Sequence, residues 1–213
     1  GGAGAAPEID LDRAMTAPDS TEPLCIAPGP PPHFHEAAAR LYVAAFLPMV
    51  TPIYGSEARA IAFLAEGLCD DRAFIATRGG RLLGIAGFKL EGRGVFHRPL
   101  GDFLASYGWT SPFRLALAML LDRPETPGEL LMDGIAVAPE ARGQGIGTRL
   151  LAAICDHARM LGREAVRLDV IDTNPEARRL YLREGFVPGE TIDLGPLRWI
   201  LPFRQVTTMR KRV

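Results

Sequence analysis

The segment from residue 130 to residue 161 constrains the fold more than any other part of the chain. Its apolar run Leu130–Ala138 is typical of a buried strand, and apolar spacing predicts an amphipathic helix over Gly145–Leu161. Between them, residues 142–147 hold three glycines, which let a backbone turn sharply and approach a ligand closely. A strand that passes through such a turn into a helix predicts an α/β fold.

The start of this helix is predicted to bind phosphate. The first N–H groups of a helix have no partner within it, and the helix dipole adds positive character there. Arg142 adds a permanent positive charge. The dinucleotide motif G-x-G-x-x-G fails, because its third glycine would fall at Thr148 or Leu150. The P-loop fails too, since the chain has no Gly-Lys-Ser/Thr sequence, so neither NAD binding nor nucleotide hydrolysis is supported.

The remaining patterns from His33 onward alternate between helices and strands. Helices are predicted over four segments: Glu36–Leu47 ending at Pro48, Glu57–Leu68 with Ser56 as N-cap, Pro112–Leu121 with Ser111 as cap, and Pro175–Glu184. Strands are predicted at Ala73–Thr77 and Leu82–Leu90 as a hairpin, at Ala165–Ile171, from Phe186–Val187, and at Arg204–Arg210. This order predicts an α/β sandwich with at least one parallel strand pair.

The chain is predicted to be one domain, residues 33–213, preceded by a disordered or extended leader, residues 1–32. The leader holds seven of the 18 prolines and five acidic residues, and only Leu24–Ala27 resembles a strand. An irregular insertion at about residues 91–129 carries five aromatic side chains: Phe96, Phe103, Tyr107, Trp109 and Phe113. We consider three interpretations of it: a cluster packed on the sheet, a lid over an acceptor pocket, or a dimer face.

Composition excludes several classes of function. A net charge of −1 argues against a nucleic-acid binder, and the lack of a long uninterrupted apolar run argues against a membrane protein. Three scattered cysteines form neither a disulfide framework nor a metal motif, so we expect a cytoplasmic protein without a metal. The 22 arginines against two lysines indicate a GC-rich, bacterial source.

A second motif lies downstream of the glycine-rich turn. It reads Asn174-Pro-Glu-Ala177-Arg-Arg-Leu-Tyr181-Leu-Arg-Glu-Gly185-Phe186 and follows a predicted strand. Arg142-x-x-Gly145-x-Gly147 resembles the pyrophosphate loop of the GCN5-related N-acetyltransferases, the GNAT family. The downstream motif is similar to that family's N-x-x-A-x-x-x-Y-x-x-x-G-F. The resemblance covers about residues 130–187, with both motifs on the expected elements.

The resemblance implies a mixed, mostly antiparallel central sheet flanked by helices, with a parallel strand pair splayed to form an acyl-CoA cleft. Acetyl-CoA would be the co-substrate. A bulge near Ile135–Val137 would open the cleft, and the N–H of Ile135 would bond the thioester carbonyl. The residues implied to bind acetyl-CoA are Ile135, Ala136, Val137, Arg142, Gly143, Gln144, Gly145, Ile146, Gly147, Thr148, Asn174 and Ala177. For Asn174 the alternative is contact with the helix start.

Two residues are implied in proton transfer. Tyr181, at the motif's tyrosine, would protonate the CoA thiolate, and its alternative is a core aromatic beside Leu180 and Phe186. Asp133 interrupts an apolar strand two residues before Ile135, so we expect both side chains on one face. It would be the base that deprotonates the amine, or it would cap a turn or pair with an arginine. Glu91 and Glu57 are weaker candidates for the base.

The predicted function is transfer of an acetyl group from acetyl-CoA to a primary amine by direct attack in a ternary complex. The resemblance places the acceptor wall at residues 48–55, and we expect a small-molecule or peptide acceptor with the enzyme a monomer or homodimer. Two alternatives stay open: a non-catalytic CoA-binding module, and a transferase that uses a longer acyl-CoA accommodated by the insertion.

Overall fold

A single seven-stranded sheet forms the centre of the computed structural model, which describes residues 22–195 and 201–213. Its strand order is β1-β2-β3-β4-β5-β7-β6, and every neighbouring pair is antiparallel except the parallel pair β4 and β5. The strands are β1 (Cys25–Pro28), β2 (Ala73–Arg78), β3 (Arg81–Lys89), β4 (Glu129–Val137), β5 (Ala165–Ile171), β6 (Val187–Asp193) and β7 (Gln205–Arg212). The predicted fold class is confirmed.

Six helices of the described residues flank this sheet. They are α1 (His35–Tyr54), α2 (Glu57–Glu66), α3 (Leu100–Tyr107), α4 (Ser111–Leu121), α5 (Ile146–Met160) and α6 (Pro175–Arg183). The main apolar core joins one face of the sheet to α5, with Leu150 and Ile154 fully buried. A second core joins the other face to α1 through Ala38. The sheet is therefore covered on both faces.

The parallel pair separates soon after it begins. The register pairs Glu129 with Ala165 and ends at Leu131 with Arg167. β4 continues to Val137 and β5 to Ile171, and within the described residues no ladder joins them beyond that point. The predicted splayed pair is present, with its gap opening toward the carboxyl ends of both strands.

Helix α1 is longer than predicted. It runs through Pro48 to Tyr54, with a kink at Phe46 (φ −118°, ψ 17°). Pro48 lies in the first turn after the kink, where its missing N–H removes no helical hydrogen bond, so the helix resumes. By length and composition alone, Pro32–Tyr54 would also suffice to cross a membrane, a feature that the sequence reasoning missed. In this fold its buried residues pack on α2 and the sheet.

The insertion contains two helices instead of one. Sequence reasoning missed α3, and Ser111 does not cap α4: it lies within the helix, fully buried, and its hydroxyl donates to the Leu104 carbonyl over 3.5 Å. Phe103 and Tyr107 pack with Tyr54 of α1 and Phe63 of α2. This packing matches the first interpretation, while Trp109 (93% exposed) and Phe113 (65%) still face outward.

The predicted leader falls partly outside the described residues, which begin at residue 22. The expected strand at Leu24–Ala27 is present one residue later, at Cys25–Pro28, where it pairs with β2 at the edge of the sheet. The hairpin, the strand at Ala165–Ile171 and the helix beginning at Pro175 are also present, with ends shifted by no more than one residue.

Candidate functional site

The glycine-rich turn leads into α5 with two glycines in the left-handed region. Gly143 and Gly145 both have φ +76°, and a Cβ at either position would meet nothing within 4 Å. Gly145 is the N-cap of α5, and it has no side chain with which to cap the helix. The first N–H groups of α5 are therefore left for a ligand.

The other residues of the turn are held by the protein itself. Arg142 is exposed, and its Nε donates to the Val137 carbonyl over 3.3 Å. The side-chain oxygen of Gln144 accepts from Arg78 over 2.8 Å. The Thr148 hydroxyl donates to Glu184 over 2.6 Å, and the backbone N–H of Thr148 is one of the first N–H groups of α5, which have no partner within the helix.

Gly147 has a packing role rather than a turning role. It lies in the first turn of α5, and a Cβ there would come within 2.9 Å of Leu180 Cδ2 on α6. Ile146, beside it, is buried in the main core. The third glycine thus allows α5 and α6 to approach closely beside the gap.

The edge of β4 presents backbone groups to the gap between β4 and β5. The Ala138 N–H donates to the Leu83 carbonyl of β3 over 2.9 Å. Successive residues of a strand direct their N–H groups to opposite edges, so the N–H groups of Val137 and Ile135 point away from β3. Their edge has no ladder to β5 within the described residues.

Ala136 differs from its two neighbours. It pairs with Ile85 of β3, and the same alternation directs its N–H and carbonyl toward that strand. Of the three strand residues predicted to bind acetyl-CoA, only Ile135 and Val137 offer N–H groups to the gap. The Val137 carbonyl already accepts from Arg142.

A β-bulge lies at Asp133, two residues before the predicted position. Gly87 of β3 pairs with Gly134 and Phe88 with Met132, so Asp133 is the extra residue. This corrects the expectation that Asp133 and Ile135 share a face. Because the bulge shifts the alternation, Asp133 contacts Gly94 and Val95 on the α1 face, whereas Ile135 packs in the core toward α5.

The Asp133 carboxylate holds the insertion. Its Oδ2 accepts from the Val95 N–H over 2.9 Å, and a Cβ at Gly94 would lie within 2.3 Å of the same oxygen. Burial raises the pKa of Asp133, and the Val95 hydrogen bond opposes that shift. One carboxylate oxygen of Asp133 therefore accepts a backbone N–H of a turn, as the turn-capping alternative predicted. A raised pKa also makes this carboxylate a stronger base than an ordinary aspartate.

Tyr181 lies in the main core on α6 and is 4% exposed. Its ring packs against Phe186 at 5.9 Å between centroids, and its hydroxyl has no hydrogen-bond partner within the described residues. Burial raises its pKa well above the ordinary value. The ring is thus the core aromatic of the second interpretation, and the raised pKa keeps the phenol protonated, which the predicted acid role requires.

Asn174 and Ala177 form the start of α6. The Asn174 side-chain oxygen accepts from the Ala177 N–H over 3.0 Å, which makes Asn174 the N-cap, and Pro175 follows in the first turn. Of the two alternatives for Asn174, the structure shows contact with the helix start. Ala177 is partly buried against the main core.

Two aromatic residues and a glycine at this site were not anticipated from the sequence. Tyr42 and Phe46 of α1 meet β4 at Gly134: a Cβ there would lie 3.2 Å from the Tyr42 hydroxyl and 2.8 Å from Phe46 Cζ. Burial raises the pKa of Tyr42, and the Asp133 carboxylate adds to that shift. The signal for this contact was Gly134, because a glycine inside a strand marks a bulge or a close approach.

The other candidates lie apart from this arrangement. Glu57 begins α2, and Glu91 lies in the turn after β3. No group of three His, Cys, Asp or Glu side chains suited to a metal occurs in the part of the chain that the structure describes. The site thus combines a helix N-terminus, a free strand edge, one carboxylate and two phenols.

Comparison with known proteins agrees with this geometry. A family model described as Acetyltransferase (GNAT) family matches residues 36–186. A crystal structure of an acetyltransferase is 25% identical, with a TM-score of 0.59, covering 89% of this chain and 99% of that one.

Two further solved structures share the fold. Ard1 from Thermoplasma volcanium is 18% identical (TM-score 0.58, covering 89% of this chain and 97% of that one). The putative acetyltransferase yncA from Salmonella typhimurium, solved with its cofactor acetyl-CoA, is 16% identical (TM-score 0.54, covering 89% and 93%). With the family match spanning most of its length and the splayed strand pair in place, the chain belongs to the GNAT family of acetyltransferases.

Proposed function

We propose that this protein transfers an acetyl group from acetyl-CoA to a primary amine, by direct attack within a ternary complex. The free edge of β4 carries the proposal. It places the N–H groups of Ile135 and Val137 in a gap that begins beside the uncapped start of α5. A ligand with a diphosphate at one end and amide groups along an extended arm matches that arrangement.

Binding would use backbone groups more than side chains. The N–H groups of residues 142–148 would hold the diphosphate at the start of α5, and Arg142 would add a positive charge. The pantetheine amides would pair with the edge of β4 as an added strand. The thioester carbonyl would accept from the Ile135 N–H, which would stabilise the oxyanion that forms there.

The two ionisable side chains divide the proton transfers between them. Asp133, on the α1 face, would accept the proton that the amine loses as its nitrogen attacks the thioester carbon. When the carbon–sulfur bond breaks, Tyr181 on α6 would donate its proton to the leaving thiolate. No covalent acyl-enzyme is required.

The acceptor would approach from the α1 face. The end of α1 and its turn into α2, residues 48–55, lie on this side with Tyr54 partly buried among the aromatic side chains of the insertion. A primary amine of a small molecule or of a peptide is the acceptor class proposed here. The protein would act as a monomer or homodimer.

Calorimetry and thiol release test the proposal on the full chain. We expect titration with CoA and with acetyl-CoA to give heat, and we expect acetyl-CoA with a panel of primary amines to release free thiol. The panel would hold an alanyl peptide, spermidine and phenethylamine. Binding of CoA without transfer to any amine would favour the non-catalytic CoA-binding module, and preference for a longer acyl-CoA would favour the transferase that uses such a chain. No heat with either ligand would contradict the proposal itself.

A further inference from the structure

Three aromatic rings form a continuous wall on the α1 face of the gap. Tyr42 packs against Phe46 with 4.5 Å between ring centroids, and against Phe96 of the insertion with 4.8 Å. We call these three residues the aromatic wall. Tyr42 and Phe46 are four residues apart on α1, so the pair covers one face of the helix.

The aromatic wall meets the strand at the bulge itself. A Cβ at Gly134 would lie 2.8 Å from Phe46 Cζ and 3.1 Å from Phe46 Cε2. Real side chains do not tolerate such distances, so the space beside Gly134 is too small for a single added methyl group. Gly134 immediately precedes Ile135, whose N–H faces the gap.

The wall is anchored from three directions. The kink at Phe46 turns α1 where it crosses β4, and Pro48 follows within the next turn. Phe96 is bridged to Leu68 after α2. The preceding residue, Val95, donates its N–H to Asp133 within the bulge. Because the rings come from two segments, α1 and the insertion, and each segment is fixed by further contacts, the wall has little freedom to withdraw from the strand.

We propose that the aromatic wall limits the acyl group, with Phe46 as the specificity-determining residue that admits acetyl and rejects butyryl and longer chains. The inference rests on the proposed function, in which the Ile135 N–H holds the thioester carbonyl. An acyl chain held there starts beside Gly134, and Phe46 and Tyr42 cover the α1 side of that residue. The predicted preference is opposite to the hypothesis that the insertion accommodates a longer acyl chain.

Binding measurements test the wall without knowledge of the acceptor. Isothermal titration of the full chain with CoA, acetyl-CoA and butyryl-CoA would be compared among wild type, Phe46→Ala and Phe46→Leu. The Leu variant covers the case in which the Ala variant fails to fold. Leu47→Ala is the matched control, because Leu47 is the next residue of α1 and packs in the same cluster with α2, whereas the atoms nearest a Cβ at Gly134 belong to Phe46 and Tyr42.

We expect wild type to bind butyryl-CoA at least tenfold more weakly than acetyl-CoA. Burying one methylene changes an affinity about fourfold, so opening the wall at Phe46 should change the butyryl-to-acetyl ratio about fifteenfold in favour of butyryl. Leu47→Ala should leave the ratio unchanged. Equal affinities in wild type, or an unchanged ratio in both Phe46 variants, would overturn the wall alone. Absence of binding by unacylated CoA would overturn the proposed function and the wall together.

Discussion

Tyr181 combines a core ring with a hydroxyl that has no partner among the described residues. Replacing it by phenylalanine keeps the packing against Phe186 and removes only the proton donor. We expect Tyr181→Phe to lower kcat at least about 100-fold while the Kd for acetyl-CoA stays within about twofold, measured by thiol release and calorimetry. Because burial raises the pKa of Tyr181 above the ordinary tyrosine value of 10.0, ionisation of this phenol should not lower the rate at any pH below 10.0.

Tyr107→Phe is the control for that experiment, since Tyr107 is another buried phenol but lies on α3. Its activity should match wild type. Equal turnover of the Tyr181 and Tyr107 variants across the pH range would remove the acid role and leave Tyr181 a core aromatic.

Asp133 offers a test that separates its two roles. Asparagine can still accept from the Val95 N–H, so Asp133→Asn should keep the insertion in place and lose the base. We expect kcat/KM to fall at least about 100-fold with the change, and wild-type kcat/KM to fall as the pH drops through the raised pKa of Asp133. Retained activity would show that the carboxylate only anchors the loop.

The same variant has a predictable effect on stability. The folded protein holds the Asp133 proton at higher pH than the unfolded chain does, because burial raises the pKa. Wild type therefore loses free energy of unfolding as the pH rises from the ordinary aspartate value through the raised one. We expect Asp133→Asn to gain stability relative to wild type over that interval, seen by chemical denaturation at several pH values. A difference that does not change with pH would argue against the raised pKa.

Individual residues differed in how far the sequence could place them. Asn174 and Pro175 at the start of a helix follow from local capping chemistry, so their positions were predictable. The face of the sheet on which the Asp133 side chain lies was not predictable. It depends on one extra residue of β4 relative to β3, a strand some fifty positions earlier in the chain. Period-2 reasoning fails wherever such a bulge intervenes.

The turn into α5 allows a matched pair of glycine substitutions. Gly145 begins the helix and Gly162 follows its end, both have positive φ, and a Cβ at either would meet nothing within 4 Å. Valine at either position should cost a similar free energy of unfolding, about 1–3 kcal/mol. Only Gly145→Val should weaken acetyl-CoA binding, at least about tenfold by calorimetry, because its side chain would stand where the diphosphate is proposed to bind.

Equal affinities of the Gly145 and Gly162 variants for acetyl-CoA would contradict the role of the turn.

The element itself was predictable, since a strand, a glycine-rich turn and an amphipathic helix each have local signals. The full length of helix α1 was not predictable, because Pro48 is a reliable helix terminator only when no tertiary contact stabilises the helix beyond it. Here Val50 and Ile53 are buried after the kink, and that packing continues the helix.

On the scale of the whole molecule, Arg114 joins the insertion to the proposed acceptor side. It donates to the Ile53 carbonyl over 2.8 Å at the end of α1, and its guanidinium lies 5.2 Å from the centroid of the Tyr107 ring. We expect Arg114→Met to lower the free energy of unfolding by about 1–2 kcal/mol, measured by urea denaturation. The buried carbonyl would lose a charged donor at a helix C-terminus.

Arg40→Met is the control for Arg114, since Arg40 pairs with Glu36 on the exposed surface of α1 and should contribute little. Equal losses for the two variants would show that the insertion is not held through Arg114.

Sequence reasoning recognised the insertion by its length and its aromatic residues. It missed α3, because Phe103 and Tyr107 bury themselves against α1 and α2, a long-range contact without a local signal.

The bulge in β4 bears on the side of the sheet from which each substrate would approach. Because of the bulge, the Asp133 side chain lies on one face of the sheet, whereas the side chains of Ile135 and Tyr181 lie on the other. Under the proposed function, the amine and the thioester would enter from opposite sides and their products would leave by separate exits.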